Sequence, residues 1–510
     1  MLPGGGGGQA KRVIGRILEV AVSAVPNRVA VTLDDEALTF RECDRRANRA
    51  ANALASLGVT RGQRLMFWSD ISLTNLDIYI GALRLGATFV PLNPDFSEDE
   101  ARDMIEYVRP HTLVVDQRHV PVAEGLARAA EVPLAVVDVH GVDVRGTKVP
   151  GVDLDARIRL AADTPPPGAH VEDEDIEAMF LTSGSTGKPK AVMVSHRASW
   201  LRATYLATTN STACGGRGEV CMFPLYHFAG WTFLLGSWAR LRAIHLTRRT
   251  AADTLLNLIE RWEAGSIYCI PAVWERILAC KTPHRTGSLL FASTGTSRVE
   301  PDLIERIFAR FPGTRTSVNY GSTEFGRGLS LDHADVFRKP YSVGLPPPGA
   351  EVSIIDGEVC LRGETMMSGY YELPEQTADV WKNGWYHSGD LGERDDEGYF
   401  WITGRRREII RSGGETIAPE EVELALASFP GVRDVAVVGL PDSSWGEVIC
   451  AVVVLEQGCK APEVEDLRRH VSALAAFKHP RKVVVADSIP RTAAMDKPQR
   501  SRIRDSILGL

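Results

Sequence analysis

The run Thr182-Ser183-Gly184-Ser185-Thr186-Gly187-Lys188-Pro189-Lys190 brings four hydroxyl side chains, two glycines and two lysines into one short stretch. It lies between a mostly apolar run, Ile176 to Leu181, and a helix-like segment beginning near Ser195. A strand opening into such a loop offers backbone N–H groups, hydroxyl donors and positive charge to one small volume, which suits phosphate oxygens. The spacing Gly-x-x-Gly-Lys is not the Gly-x-x-x-x-Gly-Lys-[Ser/Thr] of a P-loop. By composition alone, a flexible surface loop accounts for the same residues.

Two further groups have the right residue types for a nucleotide. Asn319-Tyr320-Gly321-Ser322-Thr323-Glu324 follows a predicted strand. A ring, a hydroxyl and a carboxylate on one tight turn can stack a base, bond a phosphate and hold Mg2+. A plain hairpin or helix start reads the same way. Trp385-Tyr386-His387-Ser388-Gly389-Asp390 puts a carboxylate on a glycine-bearing turn, suited to accepting two hydrogen bonds from ribose hydroxyls. Its structural alternative is an Asx-type turn before Glu393 to Gly398. Gly404-Arg405 falls at a predicted domain boundary, where Arg405 either reaches a nucleotide or is solvated.

The elements that must position these groups alternate. Thr39-Phe40-Arg41-Glu42 has capping-box spacing, and apolar side chains recur at helical intervals to Leu57 before Gly58. Arg64 to Trp68 reads as a strand, Leu73 to Leu85 as a helix, Thr88 to Leu92 as a strand, and Ser97 to Glu100 as a second capping box. Thr112 to Val115 is again a strand. Asp138 to Asp175, rich in Asp, Gly and Pro, reads as a long connection. The alternation resumes with a helix after Ser195 and continues to a strand over Thr316 to Tyr320. Strand–helix alternation implies parallel sheets covered by helices, and the two alternating blocks are expected to form two similar subdomains. After Pro346-Pro347-Pro348-Gly349 short extended runs predict an antiparallel β unit. Beyond Gly404, Pro419 stands at the first turn of a helix to Ala427, followed by strands over Val435–Leu440 and Glu447–Leu455, a helix over Val464–Ala475 and a strand over Lys482–Ala486. The fold class is therefore α/β: a large N-terminal domain (1–404) of parallel-rich sheets flanked by helices plus a small β unit, with a small independent α+β C-terminal lid domain (405–510).

The chain has 510 residues, 44% hydrophobic and 24% charged, with a formal net charge of −7. Nothing in that balance advertises a nucleic-acid or anionic-membrane partner. The eight cysteines form no CxxC pair, and several sit in apolar runs, as expected of buried thiols in a reducing cytoplasm. The uncharged run Val220 to Ala239 is broken by Pro224, His227, Gly230 and Gly236 and makes a poor membrane span. The glycine-rich opening reads as an unstructured tail without the features of a signal peptide. The composition points to a cytoplasmic protein.

Thr182–Lys190, Pro224-Leu225-Tyr226-His227, Asn319–Glu324, Gly357–Tyr370, Trp385–Asp390, Gly404–Pro419 and Pro490–Arg500, in this order, closely resemble the adenylate-forming superfamily of acyl-CoA synthetases, adenylation domains and luciferases. The resemblance runs from about Pro26 to near the C-terminus. It implies that Thr182, Ser183, Ser185, Thr186 and Lys188 grip ATP phosphates. Tyr320 would stack on adenine, Asn319 bond its amino group, Thr323 touch the α-phosphate, Glu324 bind Mg2+, and Asp390 and Arg405 hold the ribose. It also implies two steps, carboxylate plus ATP to acyl-AMP and pyrophosphate, then displacement of AMP by the thiol of coenzyme A. The C-terminal domain would swing between them about a hinge at Arg407, and Gly413 and Gly414 would lie in the loop that admits pantetheine.

The family's closing motif is Pro-Arg-Thr-x-x-Gly-Lys, whose Lys bridges the substrate carboxylate and the α-phosphate. Here Met495 and Asp496 occupy the Gly and Lys positions, and Lys497 comes one residue late. A carboxylate in that place repels both anions; alternatively the loop absorbs the extra residue and Lys497 still reaches. In the first case adenylation slows severely while thioester formation survives, and the chain prefers or requires acyl-adenylate made by a separate enzyme. By the same resemblance His227, Phe228, Gly230, Trp231, Thr294 and Gly295 would line the acyl pocket, with His227 as a gate; a buried core histidine is the structural alternative. The run Phe228 to Phe233 contains no acid to hold an α-ammonium, so a hydrophobic carboxylate is the expected substrate. Competing functions are a ligase that loads a carrier protein, a luciferase-like oxygenase and a nucleotide-binding pseudoenzyme.

Overall fold

The computed structural model describes residues 11–137, 151–168, 170–182, 190–210, 217–406, 408–412, 415–442, 445–472, 474–492 and 496–509. The glycine-rich opening, Ser183, Ser185, Thr186, Lys188, Arg407, Gly413 and Gly414 lie outside the described residues. The chain forms two compact units. The first runs to Arg338 and includes Pro346–Glu351 and Arg362–Asp379; the second comprises Lys339–Leu345, Val352–Leu361 and Val380–Leu510.

The first unit is built on two eight-stranded sheets. One runs Gly369–Tyr370, Lys190–Ser195, Ile176–Thr182, Thr88–Pro91, Arg64–Trp68, Thr112–Asp116, Leu134–Val137, Val152–Asp153, with its centre parallel. Strands covered on both faces must be apolar throughout, and Leu113, Val114 and Val115 are all fully buried. Met104, Ile105 and Val108 of the helix Glu98–Val108 pack against this sheet. The capping boxes read at Thr39 and Ser97 start the helices Phe40–Ser56 and Glu98–Val108.

The other sheet runs Gly326–Asp332, Ser317–Ser322, Phe291–Gly295, Ser266–Tyr268, Glu219–Cys221, Ile244–Leu246, Val29–Leu33, Glu36–Thr39. From Ile244–Leu246 to Ser317–Ser322 its neighbours are parallel, so their C-terminal ends emerge on one edge. Ligands of open α/β sheets bind at that edge. The register sets Cys221 beside Tyr268, Tyr268 beside Ser293 and Gly295 beside Asn319.

The second unit carries an antiparallel sheet containing Glu358–Gly363, Trp385–Arg394 and Phe400–Arg405, the β unit expected after the proline run. Its other sheet is centred on the hairpin Val432–Asp442 and Gly446–Leu455. Alternation in these strands feeds two cores. Val435, Val437, Ile449, Ala451 and Val453 face Val422, Leu426 and Leu467, whereas Ala436, Val438, Leu440, Val448 and Val452 face Ile503.

Two expectations are corrected. The connection from Asp138 to Asp175 contains the strand Val152–Asp153 and the helix Leu154–Leu160, capped by Asp153 Oδ1 accepting from Ala156 N at 2.8 Å. A seven-residue helix is too short to display a period. The helix over Val464–Ala475 stops at His470. Leu467, Val471 and Leu474 all meet the core, and a turn closed by Leu474 N on Val471 O satisfies that spacing as well as a helix does. Cys43, Cys221, Cys269, Cys360 and Cys450 are buried free thiols, Cys280 is half-buried and Cys459 is exposed. Among the described residues no helix is long and apolar enough to cross a membrane.

Candidate active site

In the first unit, Thr182 and Lys190 end two antiparallel strands and pair directly, so the segment between them is closed at its base. Lys190 Nζ sits 4.5 Å from the centre of the Tyr370 ring. The Tyr370 hydroxyl donates to Glu324 Oε1 at 3.2 Å, and Ser322 Oγ donates to Glu324 Oε2 at 2.7 Å. The root of the phosphate-type loop and the carboxylate of Glu324 therefore share one tyrosine. Carboxylate and hydroxyl oxygens make a hard donor set that fits Mg2+, and the lysine beside them fits phosphate.

Asn319 and Tyr320 lie within the strand Ser317–Ser322, and Thr323–Phe325 turns into Gly326–Asp332; the group forms a hairpin. Asn319 is fixed by its side chain, Nδ2 donating to Ser317 Oγ at 3.0 Å and Oδ1 accepting from Ser330 Oγ at 2.9 Å. Tyr320 packs on Phe325 with ring centres 5.5 Å apart. Thr323 is buried. Gly295, with φ +150°, comes so close to the neighbouring strand that a Cβ there would stand 2.1 Å from Asn319 O. Only glycine allows that approach.

His227 starts the helix Phe228–Ala239, its Nδ1 accepting from Ala229 N at 3.2 Å. In the neutral ring this places the proton on Nε2. The side chain is half-buried, as is Phe228, so His227 is a helix cap and not a core histidine. Gly230 is required where the helix meets the preceding turn, since a Cβ would lie 2.5 Å from Pro224 O. Trp231 points inward, 2% exposed, onto Tyr79 and Phe89, and supports the helix from behind. Thr294 is fully buried, and its Oγ1 has no hydrogen-bond partner among the described residues.

Several residues at this edge escaped the sequence reading. Phe223, Phe233 and Tyr268 form an aromatic group beside His227: Phe223 and Phe233 stack at 5.6 Å, and Phe233 meets Tyr268 at 5.2 Å. A Cβ on Gly295 would lie 2.6 Å from the Tyr268 hydroxyl. The available signal was position, since Tyr268 closes a parallel strand at the ligand edge. Arg202, buried, donates to Glu324 O at 3.2 Å and Thr365 O at 2.9 Å, tying the helix His196–Asn210 to the hairpin. Burial pushes it down to about 10 against the holding charges of Glu177 and Glu324.

In the second unit, Asp390 and Arg405 face each other across antiparallel strands, Arg405 Nε donating to Asp390 Oδ1 at 2.9 Å. Gly404 is needed where this strand passes the helix start, because a Cβ would lie 2.9 Å from that of Ala418. The closing motif folds back on itself. Arg491 bridges to Pro498, Thr492 N donates to Lys497 O at 2.9 Å, and Asp496 N to Thr492 O at 2.8 Å. Asp496 adopts φ +53° and is exposed, while Lys497 is half-buried. Burial, with Arg405 nearby, pushes Lys497 down to about 8, against the pull of Asp390, Glu408 and Glu420. The structure thus brings together Asp390, Arg405 and Lys497, and leaves Asp496 outside.

Residues 18–371 match the family described as AMP-binding enzyme, and residues 421–495 match the AMP-binding enzyme C-terminal domain. A feruloyl-CoA synthase of Amycolatopsis sp is 32% identical over 92% of this chain and 94% of its own length. A long-chain-fatty-acid–CoA ligase of Mycobacterium tuberculosis is 29% identical over 90% of this chain and 91% of its own. The fold matches the crystal structure of ATP-bound MatB from Rhodopseudomonas palustris with a TM-score of 0.87 at 24% identity, covering 98% of this chain and 99% of that one. The chain belongs to the AMP-binding enzyme family and is an acid–thiol ligase, an acyl-CoA synthetase of the adenylate-forming superfamily.

Proposed function

We propose that this chain converts a hydrophobic carboxylic acid to its coenzyme A thioester with both half-reactions carried out by its own residues. The observation that supports self-adenylation is the place of Lys497, half-buried among Arg405, Asp390, Glu408 and Glu420, with Asp496 turned to solvent. In the first step a substrate carboxylate oxygen bonds to the α-phosphorus as the bond to pyrophosphate breaks. The Lys497 ammonium would meet the two anions that approach, and positive charge there counts most where charge builds up. Mg2+, when bound, neutralises phosphate charge. Glu324 holds it, Thr323 bonds the α-phosphate, Asn319 and Tyr320 take adenine, and Asp390 and Arg405 take the ribose. His227, with its proton on Nε2, donates to the reacting carboxyl. In the second step the thiol of coenzyme A loses its proton, sulfur bonds to the acyl carbon, and AMP leaves with the electron pair. Residues 405–510 act as a cap hinged at Arg407, and Gly413 and Gly414 admit the pantetheine arm.

The substrate is apolar. Phe223, Phe228, Phe233 and Tyr268 supply rings around His227, and Phe228–Phe233 supplies no acid for an amino group. Relatives named for feruloyl and long-chain fatty acyl substrates agree with that class.

The test compares wild type with Lys497→Ala in two assays. Pyrophosphate release from acid, ATP and Mg2+ is expected to fall by at least about a hundredfold in the variant, while thioester formation from synthetic acyl-AMP and coenzyme A stays within a few-fold. No pyrophosphate from wild type with any member of an aryl and alkyl acid panel, alongside brisk use of acyl-AMP, would leave only the thioester step to this protein. Running the second assay with a holo-carrier protein in place of coenzyme A separates the two acceptors.

A further inference from the structure

Glu358 and Cys360 stand two apart in the strand Glu358–Gly363, so their side chains share a face. His387, on the strand Trp385–Arg394, is registered directly opposite Cys360. Glu358 and Cys360 are 4% and 0% exposed. The Cys360 Sγ to His387 Nδ1 distance is 3.5 Å, and Nδ1 lies 3.0 Å from Glu358 Oε2. The three ligand atoms all fall within 4.8 Å of one another.

Those spacings resemble the edges of a metal tetrahedron. Bond lengths usual for zinc put sulfur and nitrogen about 3.6 Å apart and nitrogen and oxygen about 3.3 Å apart at a tetrahedral angle. Thiolate, imidazole and carboxylate together carry two negative charges, enough to balance a dication. The glutamate is already oriented, its Oε1 accepting from Gly389 N at 2.7 Å. One group opposes a cation: Arg406 Nη1 lies 3.4 Å from Glu358 Oε2. Its side chain is 48% exposed, and its Nη2 donates to Asp356 O at 3.1 Å, so the guanidinium has a partner besides Glu358.

We propose that Glu358, Cys360 and His387 bind one thiophilic divalent cation of the zinc type, with water as the fourth ligand. The cation displaces the Cys360 thiol proton to solvent, and His387 binds through Nδ1 as a neutral ring with its proton on Nε2. Because Glu358 also holds Gly389, next to Asp390, the bound cation alters the strand that carries the ribose carboxylate. It therefore changes the KM for ATP in the ligase.

The experiment titrates chelator-treated full-length protein with Co2+ and follows the near-ultraviolet thiolate-to-cobalt band. One equivalent is expected to saturate it, and Zn2+ to bleach it. Cys360→Ala and Cys360→Ser abolish the band, with folding checked by circular dichroism, and His387→Gln weakens Co2+ binding by at least about tenfold. A second cluster, Asp253, Cys280 and His284, serves as the control: both ring nitrogens of His284 already face carboxylates, Asp253 at 3.0 Å and Glu260 at 3.5 Å. Cys280→Ser should leave the band intact. Zn2+ at one equivalent should shift the KM for ATP in wild type and not in Cys360→Ala, whose metal-free activity is unchanged. Absence of the band, its survival in Cys360→Ala, its loss only in Cys280→Ser, or equal KM shifts in wild type and Cys360→Ala overturns the proposal.

Discussion

On the proposed mechanism, Lys497 is expected to set an alkaline limit on the first half-reaction. In that mechanism its ammonium form would meet two anions, and in the unliganded protein burial and Arg405 pull it down to about 8 while Asp390, Glu408 and Glu420 pull the other way. Burial pushes Glu420 up to about 7, so that acid is ionised throughout the alkaline window. The kcat/KM for pyrophosphate release, which reports the free enzyme, is expected to fall as pH rises through about 8. In kcat the limb moves higher, because bound phosphate favours the ammonium. Lys497→Arg should lose the limb, and thioester formation from acyl-AMP should not show it. The stability term has the opposite slope. Above about 8 the native lysine has lost a proton that the unfolded chain keeps up to its ordinary value near 10.5, so this group makes the fold more stable as pH rises across that window.

The strands Phe291–Gly295 and Ser317–Ser322, where the proposed function puts adenine, meet in a backbone contact that no side chain can enter. Gly295→Ala places a methyl 2.1 Å from Asn319 O and demands a positive φ of a residue that disfavours it. A loss of about 1–3 kcal/mol in stability is expected, read from the denaturant midpoint, together with a KM for ATP raised by at least about tenfold. Much at this scale was legible beforehand. The capping boxes at Thr39 and Ser97 and the strand Arg64–Trp68 follow from local rules, and the candidate nucleotide motifs could be proposed because each is contiguous in sequence. Phe223, Phe233, Tyr268 and Arg202 were not, because each reaches the site only through the packing of separate elements. The place of Lys497 was hidden for another reason: a left-handed residue within a loop leaves no mark on a count of letters.

At the scale of the whole chain, the net charge is −7, yet within the second unit Arg405 and Lys497 come together beside Asp390. Local cations, not the overall balance, recruit an anionic substrate. A non-hydrolysable acyl-AMP analogue binds the native chain alone and should raise Tm. At a hundred times its Kd the gain is about 2.7 kcal/mol, readable in a thermal-shift titration. A flat titration with every aryl and alkyl analogue would remove the acyl-nucleotide reading for the entire protein, whereas a shift that shrinks in Asp390→Ala supports it.

The fold-back between Arg491 and Pro498 has a wider consequence. Once the two ends of a hairpin are clamped, its length can change by a residue without displacing the helix on the far side of the clamp, provided one member of the loop accepts the mirror-image backbone twist. Asp496 does so here, and asparagine or glycine in its place should ease the twist and leave catalysis intact. If Lys497 serves the first half-reaction as proposed, catalytic competence in such a tail depends on the anchor points, and a longer or shorter spelling of it is expected to be tolerated.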